Sequence, residues 1–241
     1  MTSKTRMLEL VKAFDAAGVE RALAESPELI GVRDERGYTW LHLVCRRQPK
    51  SPADVGASIR IADALIAAGL DISDAAFTEE AWRATPLWCA IGRGRNLALA
   101  EHLLRLGCDP EHSLWAASFV RDHDAIRLLL RYGANIDAQH EEGTPFLGAV
   151  TWSRFVEAEL FLQLGANPDV KGRGGLTALH LMLKKNSDLA AIRMVVGHGA
   201  RGDIPGPDGR TAIDILSRKK DSQLRALADQ LRQNSDRPSS R

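Results

Sequence analysis

Histidine and cysteine are the residue types in this chain best suited to acid–base, nucleophilic or metal chemistry. Their spacing argues against all three. The seven histidines (His42, His102, His112, His123, His140, His180 and His198) are scattered through 241 residues. No His has a second ligand at i+4 or a positioned carboxylate partner, so neither a zinc string nor a catalytic pair can be read from them. Cys45, Cys89 and Cys108 are odd in number, lack C-x-x-C spacing and lie in or beside apolar runs. They read as reduced thiols serving as small core hydrophobes in a cytosol, rather than as metal or redox ligands. No Gly-rich phosphate loop or nucleophile elbow occurs. The expectation is a protein that is not an enzyme and that carries no cofactor and no metal.

Recognition is the chemistry that remains. Arginine and large aromatic side chains are the usual anchors of binding hot spots, and here basic residues recur at intervals: Arg46-Arg47, Arg93, Lys184-Lys185 and Arg218-Lys219, with Phe119 and Trp152 between them. Lys plus Arg total 32 against 31 Asp plus Glu, a net charge of +1. So small a net charge supplies no long-range pull toward nucleic acid or an acidic membrane, and any electrostatic function must come from local segregation. No apolar run reaches the roughly 18 residues of a membrane span, and the segment Met1 to Leu10 has no apolar secretion core. A soluble, cytoplasmic location is expected.

What those side chains can do depends on the elements that hold them. A Gly follows an apolar pair by three residues at Leu65-Ile66 before Gly69, Leu103-Leu104 before Gly107, Leu129-Leu130 before Gly133, Phe161-Leu162 before Gly165 and Val195-Val196 before Gly199. These glycines lie 38, 26, 32 and 34 residues apart, a repeat of helix stops near a period of about 33. Matching start signals lie upstream. Thr85-Pro86 and Thr144-Pro145 put a hydroxyl at the N-cap and a proline at the first helical position, and Thr39, Thr177 and Thr211 supply the same cap without the proline. Between start and stop, apolar residues recur at helical spacing, as in Ile126, Leu129 and Leu130, or Val156, Leu160, Phe161 and Leu164. Two short helices cannot close a core alone, so each unit must lay its apolar face on the next.

Particular strings resemble the ankyrin-repeat family. Asp34-Glu-Arg-Gly-Tyr-Thr-Trp-Leu-His42 follows the family's turn and first-helix start except that Trp40 replaces Pro. Arg131-Tyr-Gly-Ala-Asn-Ile-Asp-Ala138 and Gln163-Leu-Gly-Ala-Asn-Pro-Asp169 follow its ending, while Leu176-Thr-Ala-Leu-His180 and Asp208-Gly-Arg-Thr-Ala-Ile213 repeat the start more loosely. The resemblance covers roughly residues 7 to 232. It implies an all-α solenoid of about six to seven helix-turn-helix units, caps included, with short β-hairpin fingers. It also makes His42 and His180 the motif histidines, whose rings bond neighbouring turns.

On this reading residues 1–6 form a flexible N-terminus, 7–232 a single domain and 233–241 a disordered tail. The domain divides into an N-terminal cap unit at 7–33, repeats at 34–70 and 77–109, a truncated repeat at 112–138, repeats at 140–170 and 172–203, and a C-terminal cap unit at 207–232. Leu10, Phe14, Leu23 and Ile30 supply the first cap's apolar stripe, with Gly18 breaking its two helices. Residues 48–58, holding two prolines and a glycine, read as an inserted loop. The segment after Gly107 is too short for a finger, so one finger is expected to be missing.

By analogy with the family, the residues at the end of each first helix face a concave groove. They read Arg46-Arg47, Gly92-Arg93, Phe119-Val120, Thr151-Trp152, Lys184-Lys185 and Arg218-Lys219: a basic flank, an apolar and aromatic middle and a second basic flank. Trp82 and Tyr38 join them as finger contacts, and Glu35, Arg36, Glu141, Glu142, Arg173 and Leu176 are fingertip candidates. Trp88 and Trp115 stand at the motif-histidine position and are expected to be half-buried core. The implied function is protein–protein interaction on the groove and fingers, as an adaptor, inhibitor or accessory protein. A bacterial effector or immunity protein acting by binding is the alternative, and a nucleic-acid binder a third. The expected partner is an acidic protein with an apolar anchor, with no membrane involved and nucleic acid the weaker fit, and the chain is expected to be monomeric.

Overall fold

The computed structural model describes residues 1–77, 83–139 and 143–235. Over these residues the chain folds into fourteen α-helices in seven consecutive pairs and one two-stranded hairpin. They fall into two compact units, Met1–Ala134 and Asn135–Arg241.

The first unit holds α1 (Lys4–Lys12) and α2 (Ala16–Glu25), a 3-10 turn at Pro27–Gly31, then α3 (Trp40–Cys45) and α4 (Pro52–Ala67). Strands β1 (Ala76–Phe77) and β2 (Arg83–Ala84) follow and pair antiparallel, Ala76 opposite Ala84. Helices α5 (Pro86–Gly92) and α6 (Leu97–Arg105), then α7 (Ser113–Phe119) and α8 (His123–Arg131), complete it. Two rows result: first helices pack in the order α1, α3, α5, α7 and second helices in the order α2, α4, α6, α8. The second unit repeats the plan with α9 (Pro145–Thr151), α10 (Phe155–Gln163), α11 (Ala178–Lys184), α12 (Leu189–Gly197), α13 (Ala212–Ser217) and α14 (Ser222–Ser235). There α9, α11 and α13 form one row and α10, α12 and α14 the other. Among the described residues, no helix is long and apolar enough to cross a membrane.

Each row is held by apolar side chains with no exposure to water, such as Leu41, Ile61, Leu87 and Leu103 in the first unit and Phe146, Phe161 and Met182 in the second. Burying one such side chain contributes about 1.5–3 kcal/mol. The helix ends are set locally. The five stop glycines, Gly69, Gly107, Gly133, Gly165 and Gly199, hold φ between 87° and 107°. Each stop is doubly bonded: at Gly165 the glycine N–H donates to Leu162 O (3.1 Å) and the next N–H, of Ala166, to Phe161 O (2.9 Å). This is the Schellman pattern, which satisfies carbonyls a bare helix end would leave open. At the starts, the Oγ1 of Thr85 and Thr144 accepts from the N–H of Trp88 and Leu147, and Pro86 and Pro145 occupy the first turn.

Five local expectations are corrected. The first helix begins at Lys4, not after residue 6, because Ser3 caps it by accepting from Arg6 N–H (3.2 Å) and Thr2 N–H donates to Ser26 Oγ (2.9 Å). Gly18 is not the break between α1 and α2. The chain turns at Phe14 (φ 55°), and Asp15 caps α2 by accepting from Gly18 N–H, where a Cβ would lie 2.5 Å from Asp15 Oδ2. Residues 52–58 are helix rather than loop, because Ser51 is an N-cap and Pro52 sits in the first turn, the one helical place a proline fits. In α10 the buried face is Glu157, Ala158, Leu160, Phe161 and Leu162, whereas Val156 is 59% exposed. Last, α14 runs to Ser235, past the Gln233 boundary of the expected tail.

Candidate functional site

The two motif histidines and the thiols are bound into the scaffold. The expectation that no His has a carboxylate partner is corrected at the surface, where His102 on α6 has its Nε2 2.6 Å from Asp63 Oδ1 on α4. His42 is fully buried, its Nδ1 2.8 Å from Thr39 Oγ1 and 3.3 Å from Thr39 N, its Nε2 3.1 Å from Ala84 O. A backbone N–H can only donate and a carbonyl can only accept, so Nδ1 accepts and Nε2 carries the proton: a neutral ring tying α3 to the next finger. Burial pushes its pKa below the ordinary value, against the opposing hydrogen bond to Ala84 O. His180 is placed the same way, 2.8 Å from Thr177 Oγ1 and 3.1 Å from Arg210 O. All three thiols are free and buried. Burial drives Cys45 well above its usual value, Cys89 up to about 12 and Cys108 up to about 11, so none is a ready nucleophile. Among the described residues, no group of three or more His, Cys, Asp or Glu could hold a metal ion.

The first-helix ends carry the exposed chemistry. In the first unit Arg46 caps α3 with its guanidinium carbon 4.7 Å from the centre of the Tyr38 ring. Arg47 lies 6.0 Å over Phe14 and Arg93, the cap of α5, 6.0 Å over Trp88. Guanidinium–ring contact of this kind contributes about 0.5–1 kcal/mol at exposed sites and fixes the orientation of the planar fork. Phe119, at the end of α7, is 60% exposed, the largest exposure of any aromatic side chain among the described residues. Tyr38 is corrected: it is no fingertip contact but 3% exposed, closed in by Arg46 on one face and by His42, whose ring centre lies 5.4 Å away. Burial raises the pKa of its phenol, an effect reinforced by Cys89 and opposed by the charges of Arg46, Arg36 and Arg93. Trp40, at the other irregular position of this repeat, is buried with its Nε1 donating to Leu29 O (2.7 Å).

In the second unit Trp152 caps α9 and is half-buried, with the Arg154 guanidinium 4.9 Å from its ring centre. Lys185 caps α11 and donates to Thr151 O at the end of α9, where a cation complements the helix dipole. Lys184 is exposed. Trp82, Glu141 and Glu142 lie outside the described residues, while Glu35, Arg36 and Arg173 are exposed and Leu176 half-buried. Trp88 is half-buried and Trp115 is 5% exposed.

Arg154 is a site residue that the repeat pattern did not bring out. It is the N-cap of α10, and the equivalent positions before α2, α6, α8 and α12 are Asp15, Asn96, Asp122 and Asp188, each accepting a backbone N–H. Arg154 makes no such cap, which forfeits about 1 kcal/mol of helix stability. A helix-start position that breaks the Asp/Asn rule was the signal available in the sequence.

No protein-family model matches the chain. Over 75 residues, 30% of this chain, it is 39% identical to the 2-5A-dependent ribonuclease of Homo sapiens, and the match spans 10% of that protein's length. The crystal structure of the human ASB11 ankyrin repeat domain superposes with a TM-score of 0.66 at 22% identity, covering 99% of this chain and 100% of that one. The ankyrin repeat domain of Bcl-3, a member of the IkappaB protein family, superposes with a TM-score of 0.74 at 19% identity, covering 95% and 100%. The fold is that of ankyrin repeat domains.

Proposed function

We propose that this chain of ankyrin-repeat fold binds another protein through the side chains at its first-helix ends, and that it is not an enzyme. The observation that carries the reading is the pair Trp152 and Arg154: a capping residue has been replaced by an arginine whose guanidinium lies on a half-exposed tryptophan. Loss of a cap without a gain in the core is the kind of local inconsistency that function explains, and Trp with Arg is the composition of a binding hot spot. Arg46, Arg47, Arg93, Lys184 and Lys185 supply positive charge at the corresponding positions of other repeats. Such charge steers an acidic partner and raises its rate of association more than its final affinity. Adaptor, inhibitor, accessory, effector and immunity roles would all use this surface, and its chemistry favours an acidic partner with an apolar anchor.

The test is kinetic. Against a partner captured by affinity and reconstituted from purified components, Trp152→Ala should weaken binding by about 2 kcal/mol or more while leaving the thermal midpoint nearly unchanged. Charge reversal at Arg46, Arg47, Lys184 and Lys185 should slow association and flatten its salt dependence. If Trp152→Ala unfolds the chain without a selective effect on binding, the tryptophan is core and the reading fails. A nucleic-acid role would instead appear as affinity for a single-stranded oligonucleotide that collapses steeply with salt.

A further inference from the structure

Arg46, Arg93 and Phe119 stand at the ends of α3, α5 and α7, three first helices packed in succession within one compact unit. The two arginines rest on the Tyr38 and Trp88 rings, and neither is ion-paired with a carboxylate of the described chain. A guanidinium held by a ring and left without a carboxylate is a pre-oriented receptor for one. Arg93 follows the last residue of α5 as Arg46 follows that of α3, while Phe119 is itself the last residue of α7, where α5 has Gly92. Phe119 then offers an apolar platform at the far end.

Spacing decides the shape of the occupant. Packed helices lie about 8–10 Å apart, and one turn of polyproline II advances three residues at about 3.1 Å each, or about 9 Å. Residues three apart on such a strand project from the same side. A β-strand puts residues three apart on opposite faces and fits the row less well. We propose that the first unit takes an acidic segment of a partner protein in the polyproline II conformation, with carboxylates at two positions three residues apart held by Arg46 and Arg93, and a large apolar side chain three residues further on against Phe119. The proposal rests on the protein-binding reading above and gives it a register.

A peptide suits this surface better than a nucleic-acid strand. Beside Arg46 is a shallow depression of about 470 Å³ lined by Lys4, Asp34, Glu35 and Arg36 as well, and Asp122 lies 3.7 Å from Arg95 near the other end. Asp34 and Glu35 lie among the cations at one end and Asp122 is paired with Arg95 at the other, so the positive charge is broken into separate spots. That suits a chain with two charges placed three residues apart better than one with a phosphate at every step.

The experiment uses the full chain and a synthetic blocked peptide, Glu-Pro-Ala-Glu-Pro-Ala-Leu-Pro-Ala, titrated by NMR beside a shuffled peptide of the same composition and a short oligothymidylate. The in-register peptide should bind about tenfold or more tightly than the shuffled one, and Arg46→Gln and Arg93→Gln should each weaken it about five- to tenfold. Phe119→Ala should erase the advantage of the leucine, with circular dichroism showing each variant folded. Equal binding of the two peptides overturns the register, and so does binding unchanged by both glutamine substitutions in folded protein. Tighter binding of the oligothymidylate overturns the choice of a peptide. If neither peptide binds while Trp152→Ala still weakens a reconstituted partner, this proposal falls and the wider reading stands. If Trp152→Ala is silent as well, both fall.

Discussion

Five of the turns that close a repeat and five of the turns that join its two helices pass through the left-handed region, but with different residues. The closing turn uses glycine at Gly69, Gly107, Gly133, Gly165 and Gly199. The joining turn uses Phe14, Arg95, Arg121, Ser153 and Asn186, with φ between 50° and 58°. A side chain in that conformation costs roughly 1–2 kcal/mol that glycine does not. The closing turn therefore holds the cheapest residue and no chemistry, whereas the joining turn accepts strain in five of the seven helix pairs, the exceptions lying between α3 and α4 and between α13 and α14, and keeps its side chains. Arg46, Arg93, Trp152 and Lys185 all border joining turns, as caps of their helices. Surface chemistry is concentrated at the turn whose residues are least determined by folding.

That contrast can be broken by exchanging residues between the turns. Gly165→Ala meets no neighbouring atom within 4 Å, so its cost is backbone strain alone: a loss of about 1–2 kcal/mol in denaturant melts. Asn186→Gly, the reverse exchange, should leave stability unchanged or slightly raised. If the two substitutions have equal effects, the turns do not differ as described. Somewhat smaller is Arg154→Asn, which restores the cap found in the other repeats. It should raise stability by about 1 kcal/mol while weakening partner binding, and a gain in both would remove Arg154 from the site.

The scaffold side of the comparison has its own pH signature. His42 is held neutral, with its folded pKa below the ordinary 6.5, so below pH 6.5 the unfolded chain binds more protons than the folded one. Stability should fall as pH drops from 6.5 toward the folded value and level off below it. His42→Gln should reduce that slope in a series of thermal melts, and a slope that is unchanged would place its origin elsewhere. The smallest expected effect is none: Cys45, Cys89 and Cys108 should resist thiol labelling in the native protein, and rapid labelling of all three would contradict their burial.

Features written in short strings were legible in the sequence. A stop glycine after an apolar pair, or a Thr-Pro start, acts within one helical turn, so no distant residue can override it. The motif histidines were placed for the same reason. What was not legible depended on choices among local options. Pro49 and Pro52 read as a loop, but Pro52 also satisfies a helix start, and Ser51 decides between the two. Tyr38 looked like a fingertip because nothing in its own string shows that Arg46 and His42 close over it. In α10, Val156 fits the apolar period as well as Glu157 does not, yet Glu157 is 1% exposed, an outcome set by packing and not by periodicity. Most joining turns leave no trace either, since Phe, Arg and Ser carry no left-handed signature, whereas Asn186 does.

Among the described residues, the long side-chain links between repeats run to the next neighbour. His42 reaches Ala84, Asp137 accepts from Asn167 N–H, Asp169 from Arg201 N–H, and His180 reaches Arg210, each a step of 30 to 42 residues. Within each unit such links bear load in series, the way rungs on a rope do, and not in parallel as in a sheet sheared along its strands. Pulled from the two ends, a chain built this way should yield one repeat at a time at low force, and should recapture each repeat as the tension is released.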